Sequence, residues 1–461
     1  MKDDVVRGLV LTAIVDRLIA DTARMSRLAT PVIIARIGIM TMVMVDTVVV
    51  GRFSTAELAR ISMAFPPVSV LLVAGIGMVG GTSVMAARLR GSGDYEQIGA
   101  VWHRGLIYAL GLGLLGLPMA AFAGPILRLL GQPSDLIEGA APALAILALS
   151  VPFHLVYVTN AQFMEGLGRP LPGMILMVIA NFVNLGFNLM LVGTIDGLWA
   201  LGAIGTALAT TLARAFLAIS LSVYIWRLDD HKTMNIRTRA GRADPQAGHE
   251  QWHIGLANGA SLGVEQTAFA SMSILAGWVG ADALAAYTIG LNSLAFIFMV
   301  ALGFGVAAAV MVSEAFGAKN LKAVQRLSFL ALGVNLSLMM MAALATNVWP
   351  HELAGLFTND KSLLLPVGGL IGLAGIAVIF DGSQTVAAQI LRARGETWVP
   401  TLSHLISYIF VMVPLGYVLA IGWGQGAEGL FNAIILASIL SSSLLVWRII
   451  LLVVRDQRKG L

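Results

Sequence analysis

The sequence predicts an all-α polytopic membrane protein, with twelve transmembrane helices arranged as two related six-helix bundles. Three observations lead there. The 461-residue chain is 58% hydrophobic and only 12% charged, with a mean hydropathy of +0.85, whereas a soluble domain carries about 25% charged residues. Its apolar residues gather into twelve segments, each longer than the roughly 20 residues that cross a bilayer. The second half of the chain also repeats the first.

The segments fall in order at 26–50, 58–86, 98–121, 137–159, 171–193, 200–226, 254–278, 284–312, 324–348, 363–391, 399–421 and 428–453. Ahead of them, residues 1–25 read as an amphipathic helix at the membrane surface. Within this stretch, residues 4–24 hold three acids and three Arg and lack the clean apolar core of a cleavable signal. The first segment carries Arg36 and Asp46, and the fourth His154. Asn181, Asn184 and Asn188 lie in the fifth, with Thr206 and Arg214 in the sixth. A charged linker, 227–253, divides the chain. The seventh segment carries Glu265, the tenth Asp381 and the eleventh His404, and 454–461 is a polar tail. The 50 glycines and 21 methionines suit close helix packing and soft apolar surfaces.

The repeat is visible in three pairs of stretches. TAELARISMAFP at 55–66 aligns with ADALAAYTIGLN at 281–292, and AARLRGSGDYEQ at 86–97 with VSEAFGAKNLKA at 312–323, both at an offset of 226 residues. This places Gly77 on Gly303 and Gly91 on Gly317. NAQFMEGLGRP at 160–170 aligns with AAQILRARGET at 387–397 at an offset of 227. The halves are thus 26–226 and 254–453. Six spans per half is an even number, so both halves enter the membrane from one side, as parallel-repeat transporters do.

Charge gives the orientation. Arg52, Arg60, Arg128 and Lys361 fall in one set of loops and Arg36 and Arg214 within spans, which leaves 23 of the 29 Lys and Arg on the other side with both termini. By the positive-inside rule that side is cytoplasmic. The net charge of +4 gives no indication of a nucleic-acid partner. With no cysteine, neither a disulfide nor a Cys metal site can form. The chain has no HExxH and no Walker motif, so ion coupling is the natural energy source. No nucleophile or metal constellation supports a membrane enzyme.

Charged residues inside the bilayer are costly and mark function by default. Glu265 sits in GLANGASLGVEQTAFASMSILAGWVG with no Lys or Arg in the stretch. Asn258 and Ser261, seven and four residues earlier, share its helix face. Asp381 has Gln384 and Thr385 one turn on, and Gly382 leaves room beside it. Two acids of one half facing a common cavity could exchange protons or share a Na⁺; the plainer alternative for each is an interhelical hydrogen bond. Asp46 is a third candidate, with pairing to Arg52 as its alternative. Asn184 and Asn188, with Thr206, offer neutral oxygens that would suit a hard cation beside Asp46, or equally interhelical glue. His154 and His404, lone histidines in apolar segments, read as structural. Phe269, Phe296, Phe298 and Phe304 are candidate contacts for an apolar substrate.

VDTVVVGRFSTAELA in the first segment, EQTAF in the seventh, FDGSQTVAAQILRARGET in the tenth and NAQFMEGLGRP at 160–170, together with twelve spans in two halves, resemble the multidrug and toxic compound extrusion (MATE) transporters. The resemblance covers about 25–453 and points to the bacterial NorM-like branch. It implies a V-shaped pair of lobes that rock between outward- and inward-facing states. It further implies export of small cationic or amphipathic compounds in exchange for Na⁺ or H⁺, with no other cofactor, from a bacterial inner membrane. Glu265 and Asp381 match the family's C-lobe acids, while Asp46, Asn184, Asn188 and Thr206 match its N-lobe cation site. Asn188 stands where some members carry Asp, and Ala377 where some carry an aromatic. The runner-up is a lipid or lipid-linked oligosaccharide flippase of the wider superfamily, for which a cation-lined cavity is expected; here three acids face two Arg. No nucleic-acid partner is expected, and the chain is expected to act as a monomer.

Overall fold

The computed structural model describes residues 2–193, 199–238, 244–355 and 361–458, with side chains from residue 15 onward except 135 and 361–365. The linker stretch 239–243 and the tail end 459–461, which carry Arg239, Arg242 and Lys459 of the charge count, lie outside the described residues.

Among the described residues every regular element is a helix. In chain order they are α1 (Lys2–Phe53), α2 (Thr55–Ser92, with a turn at Val79–Gly80), α3 (Tyr95–Ala121), α4 (Leu136–Gly166), α5 (Leu171–Leu191), α6 (Gly202–Trp226), α7 (Pro245–Val279), α8 (Ala281–Gly317), α9 (Leu321–Val348), α10 (Lys361–Ala393), α11 (Trp398–Gly422) and α12 (Gly426–Arg458). Local chemistry sets several starts. The Ser54 hydroxyl accepts the Glu57 N–H at α2, and the Asn320 side chain accepts the Ala323 N–H at α9, as N-caps do. The Glu57 carboxylate accepts the Ala203 N–H at 2.8 Å, satisfying an N-terminal donor of α6. The surface segment expected over residues 1–25 is continuous with the first span in α1.

Eleven of these helices are long and apolar enough to cross a membrane; α7 is not among them. At 35 residues it would extend for about 50 Å, ample for a bilayer core of about 30 Å. Its hydropathy is lowered by Asn258, Ser261, Glu265, Gln266 and Thr267. Phe182, Trp278, Phe410 and Trp423 are among the exposed side chains, the lipid-facing counterpart of a fold that buries its few polar groups.

The chain divides into two compact units, Ile34–Gly263 and Met1–Ile33 with Val264–Leu461. The divisions fall inside α1 and α7, away from the linker. Glycines show why. In the first unit Gly77 of α2 packs directly on Gly259 of α7, and Gly255 packs on Met78, so the first part of α7 stays with α2. In the second, Gly303 of α8 packs on Ala29 and Ile33 of α1. Gly77 with Gly303, and Ile33 with Gly259, are each separated by the repeat offset of 226 residues. The same helix crossing is therefore built once in each unit, at a point where a side chain would prevent it. Around it the first unit buries Leu144, Leu155, Phe163 and Leu217, and the second Tyr287, Met412, Phe431 and Ile434.

Candidate functional site

Each unit holds one acidic site. In Ile34–Gly263 the centre is Asp46 of α1. Its Oδ1 accepts the amides of Asn184 at 3.0 Å and Asn188 at 2.7 Å, both from α5. Its Oδ2 accepts the Thr210 hydroxyl of α6 at 2.6 Å. Thr206, one turn before Thr210, donates to the Asn188 carbonyl oxygen at 2.6 Å. The spacing of four in both α5 and α6 is what stacks two polar groups toward one carboxylate. Asn184, Asn188, Thr206 and Thr210 are all buried, and the Asn184 Oδ1 makes no hydrogen bond within the protein. Arg214, one further turn along α6, donates to Ser150 at 2.6 Å and lies within electrostatic reach of Asp46.

All four residues expected at this site are brought together. Arg52, the alternative partner for Asp46, instead lines a cleft of about 690 Å³ with Met44, Val48, Phe53 and Leu189. Asn181 turns away, donating to the carbonyls of Gly38 and Met177. Arg36 pairs with Glu165 of α4 at 3.8 Å, and His154 is buried within reach of Arg36 and Arg214.

In the second unit the centre is Asp381 of α10, which is 1% exposed. Its Oδ1 accepts the Tyr408 hydroxyl of α11 at 2.8 Å and the Gln384 amide at 3.4 Å. Gln384 also donates to Thr385 at 3.2 Å, and its own carbonyl oxygen makes no hydrogen bond within the protein. Glu265 of α7 lies within electrostatic reach of Asp381 and of the oppositely charged Arg392 guanidinium of α10. The cation missing from Glu265's own stretch is thus supplied by a neighbouring helix. Tyr408 is fully buried, packed edge-on by His404 at 5.5 Å and at a tilt by Phe269 at 6.1 Å between ring centroids.

Glu265, Asp381, Gln384 and Thr385 therefore belong to one unit. Asn258 and Ser261 belong to the other: the Asn258 amide donates to the Gly77 carbonyl at 3.1 Å, and Ser261 is fully buried. The helix face they share with Glu265 is divided where α7 passes from one unit to the next.

Thr210, Tyr408, Arg392 and Glu165 are the site residues that sequence reasoning left out. Thr210 and Arg392 were within reach of it: Thr210 follows Thr206 by one turn, and Arg392 follows Asp381 by 11 residues, about three turns on one face. Tyr408 and Glu165 come from helices distant in sequence, and no spacing points to them. Ala377 lies where some relatives carry an aromatic residue, and it is Tyr408 of α11 that sets a phenol against Asp381.

The fold and its sites define a polytopic helical membrane protein of the transporter class, with one acidic cluster in each compact unit. Comparison with known proteins places it more closely. The MatE family model matches residues 31–190 and 260–418. A "Probable multidrug resistance protein NorM" of Caulobacter vibrioides is 41% identical over 96% of this chain and 94% of its own. A protein of the same description from Burkholderia pseudomallei is 30% identical over 93% and 92%. Among solved structures, a MATE transporter in the bent conformation superposes with a TM-score of 0.87 at 17% identity, covering 96% of this chain and 97% of its own. The eukaryotic MATE transporter AtDTX14 superposes at 0.84 with 19% identity, covering 94% and 96%. The chain belongs to the MATE transporter family, and its relatives are of the NorM kind.

Proposed function

We propose that this protein is a secondary active efflux transporter that exports cationic and amphipathic compounds in exchange for Na⁺ or H⁺ by rocking alternating access. The observation that carries the reading is the pair of acidic sites, Asp46 and Asp381 with Glu265, each held by hydrogen bonds inside membrane-spanning helices. A carboxylate at that depth is retained at a cost of several kcal/mol, which is accounted for if it binds and releases a cation during transport. Both sites have the chemistry for it. Around Asp46, the carbonyl oxygens of Asn184 and Asn188 and the hydroxyls of Thr206 and Thr210 supply the neutral oxygens that a hard cation takes beside one carboxylate. Around Asp381, two acids within electrostatic reach of one another gain from taking up a proton or a Na⁺ between them. The similarity to NorM proteins described as multidrug resistance proteins supports drugs as substrates.

In this reading the basic ends of the helices and both termini face the cytoplasm of a bacterial inner membrane, and the protein acts as a monomer. A drug and the coupling cation compete for the acidic sites. Each shifts the conformational equilibrium only by its differential affinity for the two states.

The test is uptake of a cationic dye into everted vesicles, with Na⁺ and pH gradients imposed separately. Dye movement driven by one gradient, and lost in Glu265→Gln or Asp46→Asn, is the expected result. Dye movement indifferent to both gradients would sink the antiport reading.

A further inference from the structure

A serine inside an apolar helix ordinarily turns its hydroxyl back to the carbonyl one turn earlier. Ser293, Ser328, Ser337 and Ser383 do this, at 2.6–3.0 Å. Five buried serines of the same compact unit make no such bond: Ser313 of α8, Ser403 and Ser407 of α11, and Ser438 and Ser441 of α12. Their enclosed hydroxyls make no hydrogen bond within the protein. For Ser407 the cause is local. It lies in a π-helical stretch, Leu405–Met412, where bonds run five residues back, as from the Val413 N–H to the Tyr408 carbonyl. The carbonyl four residues back is then displaced from its usual place.

Those of α11 and α12 are ordered along the bundle. Ser438 of α12 sits against Asp381 and Tyr408. Ser441 follows it by three residues, and Arg448 lies seven beyond Ser441, two turns on along the Ser441 face. On α11, Ser407 adjoins Tyr408, and Ser403 lies one turn nearer the helix start. The π-helical part of α11 packs on α12. At the same ends of α10, α11 and α12 stand the charged pairs Arg394–Asp456, 2.5 Å, and Arg448–Glu396, 2.8 Å. An unsatisfied buried hydroxyl costs about 1–3 kcal/mol. Internal water removes that cost where several polar groups stand close enough to share it.

We infer that Ser403, Ser407 and Ser441 hold a chain of water molecules that links Asp381 and Tyr408 to the basic end of the helices within one compact unit. Along it a proton leaves the Asp381 carboxyl for the adjoining water. Each following oxygen accepts one proton and gives up another, so every O–H bond broken is matched by one formed. The titratable and charged groups on the helices that carry this path, and on α7 beside Asp381, are Glu265 from α7, Asp381 and Arg392 from α10, His404 and Tyr408 from α11, and Arg448 and Asp456 from α12. The helices packed on the other side of α10 add Glu314 of α8, held by Arg24, Tyr287 of α8, packed on Phe431, and Arg326 of α9, held by Asp21. The transport role of the path rests on the proposed coupling function of Asp381.

The absence of cysteine makes the test direct. Ser403→Cys, Ser407→Cys and Ser441→Cys are exposed, in everted vesicles without drug or gradient, to Ag⁺, a small thiol-reactive ion. Thiols left unreacted are then counted with a maleimide after denaturation. Ag⁺ from the basic side blocks all three and spares Ser328→Cys, whose parent serine is equally buried but bonded to Val324. Equal protection of all four, or blocking from the opposite side alone, overturns the inference. As a second measurement, Ser441→Val slows drug-coupled proton movement several-fold with drug binding unchanged, and Ser441→Thr restores it; equal rates in all three forms overturn it. Because accessibility is read without transport, failure of the unmodified protein to export bears on the proposed function alone. Dry serines in a protein that exports bear on the water chain alone.

Discussion

At Asp46 three donors from two helices converge on one carboxylate. Hydrogen bonds to a charged group contribute about 1.5–3 kcal/mol each. Thr210→Val removes one of them together with a neutral oxygen ligand, and is expected to weaken Na⁺ binding at this site by about tenfold or more, since 1.4 kcal/mol is a factor of ten. Thr210→Ser retains binding. Calorimetric titration of purified protein with Na⁺ reads the difference. Tyr408→Phe is the matching experiment in the other unit. It strips Asp381 of its shortest hydrogen bond, 2.8 Å, while keeping the ring contacts with His404 and Phe269. It is expected to alter the pH profile of efflux with little loss of protein stability. An unchanged profile would show that the phenol only packs. Asp46, Asn184, Asn188 and Thr206 were legible in the sequence because helical spacing and the family pattern agree there. Tyr408 was not, because its contact with Asp381 depends on how α10 and α11 pack.

At the scale of the element, glycines decide which helices meet. A side chain on Gly77 would run into the backbone of Gly259, and overpacking of this kind costs about 1–3 kcal/mol. Gly77→Val is expected to lower the thermal midpoint in detergent. Gly186→Ala, where an added methyl meets nothing within 4 Å, leaves it unchanged. The Arg394–Asp456 pair offers a second test, with side chains only 3% and 8% exposed. Asp456→Asn leaves a buried guanidinium without its counter-charge, which costs about 3–5 kcal/mol. A clear drop in thermal midpoint is expected, with partial recovery in a double variant that also replaces Arg394 by Met. The twelve elements were legible from apolar run length, and even the polar α7 was found because its run of small and apolar residues is long. The passage of α1 and α7 from one compact unit to the other was not, since the linker at 227–253 marks the obvious boundary in sequence.

For the whole molecule the expectation is functional. Expression in an efflux-deficient bacterial host should raise the inhibitory concentration of lipophilic cations several-fold. Asp46→Asn and Glu265→Gln should each reduce that protection, because each disables a different unit. Protection indifferent to both substitutions would mean that neither carboxylate couples transport. The two units share a fold yet differ in chemistry. The residue 226 positions before Glu265 is Ile39, and the acid of the first unit, Asp46, is held by asparagines and threonines in place of a second acid.

The sequence by itself determined the class of fold, the repeat and the identity of the intramembrane acids. Each follows from local facts: the length of apolar runs, a constant offset, and the cost of placing a charge in hydrocarbon. Only the tertiary structure decided which groups meet those acids. It brought Arg392 within electrostatic reach of Glu265, set Tyr408 against Asp381, and drew Asn258 away to Gly77. The reason is physical. Helical periodicity fixes which residues share a face, but the partner across that face depends on where two backbones come close, and here small residues on distant helices set that.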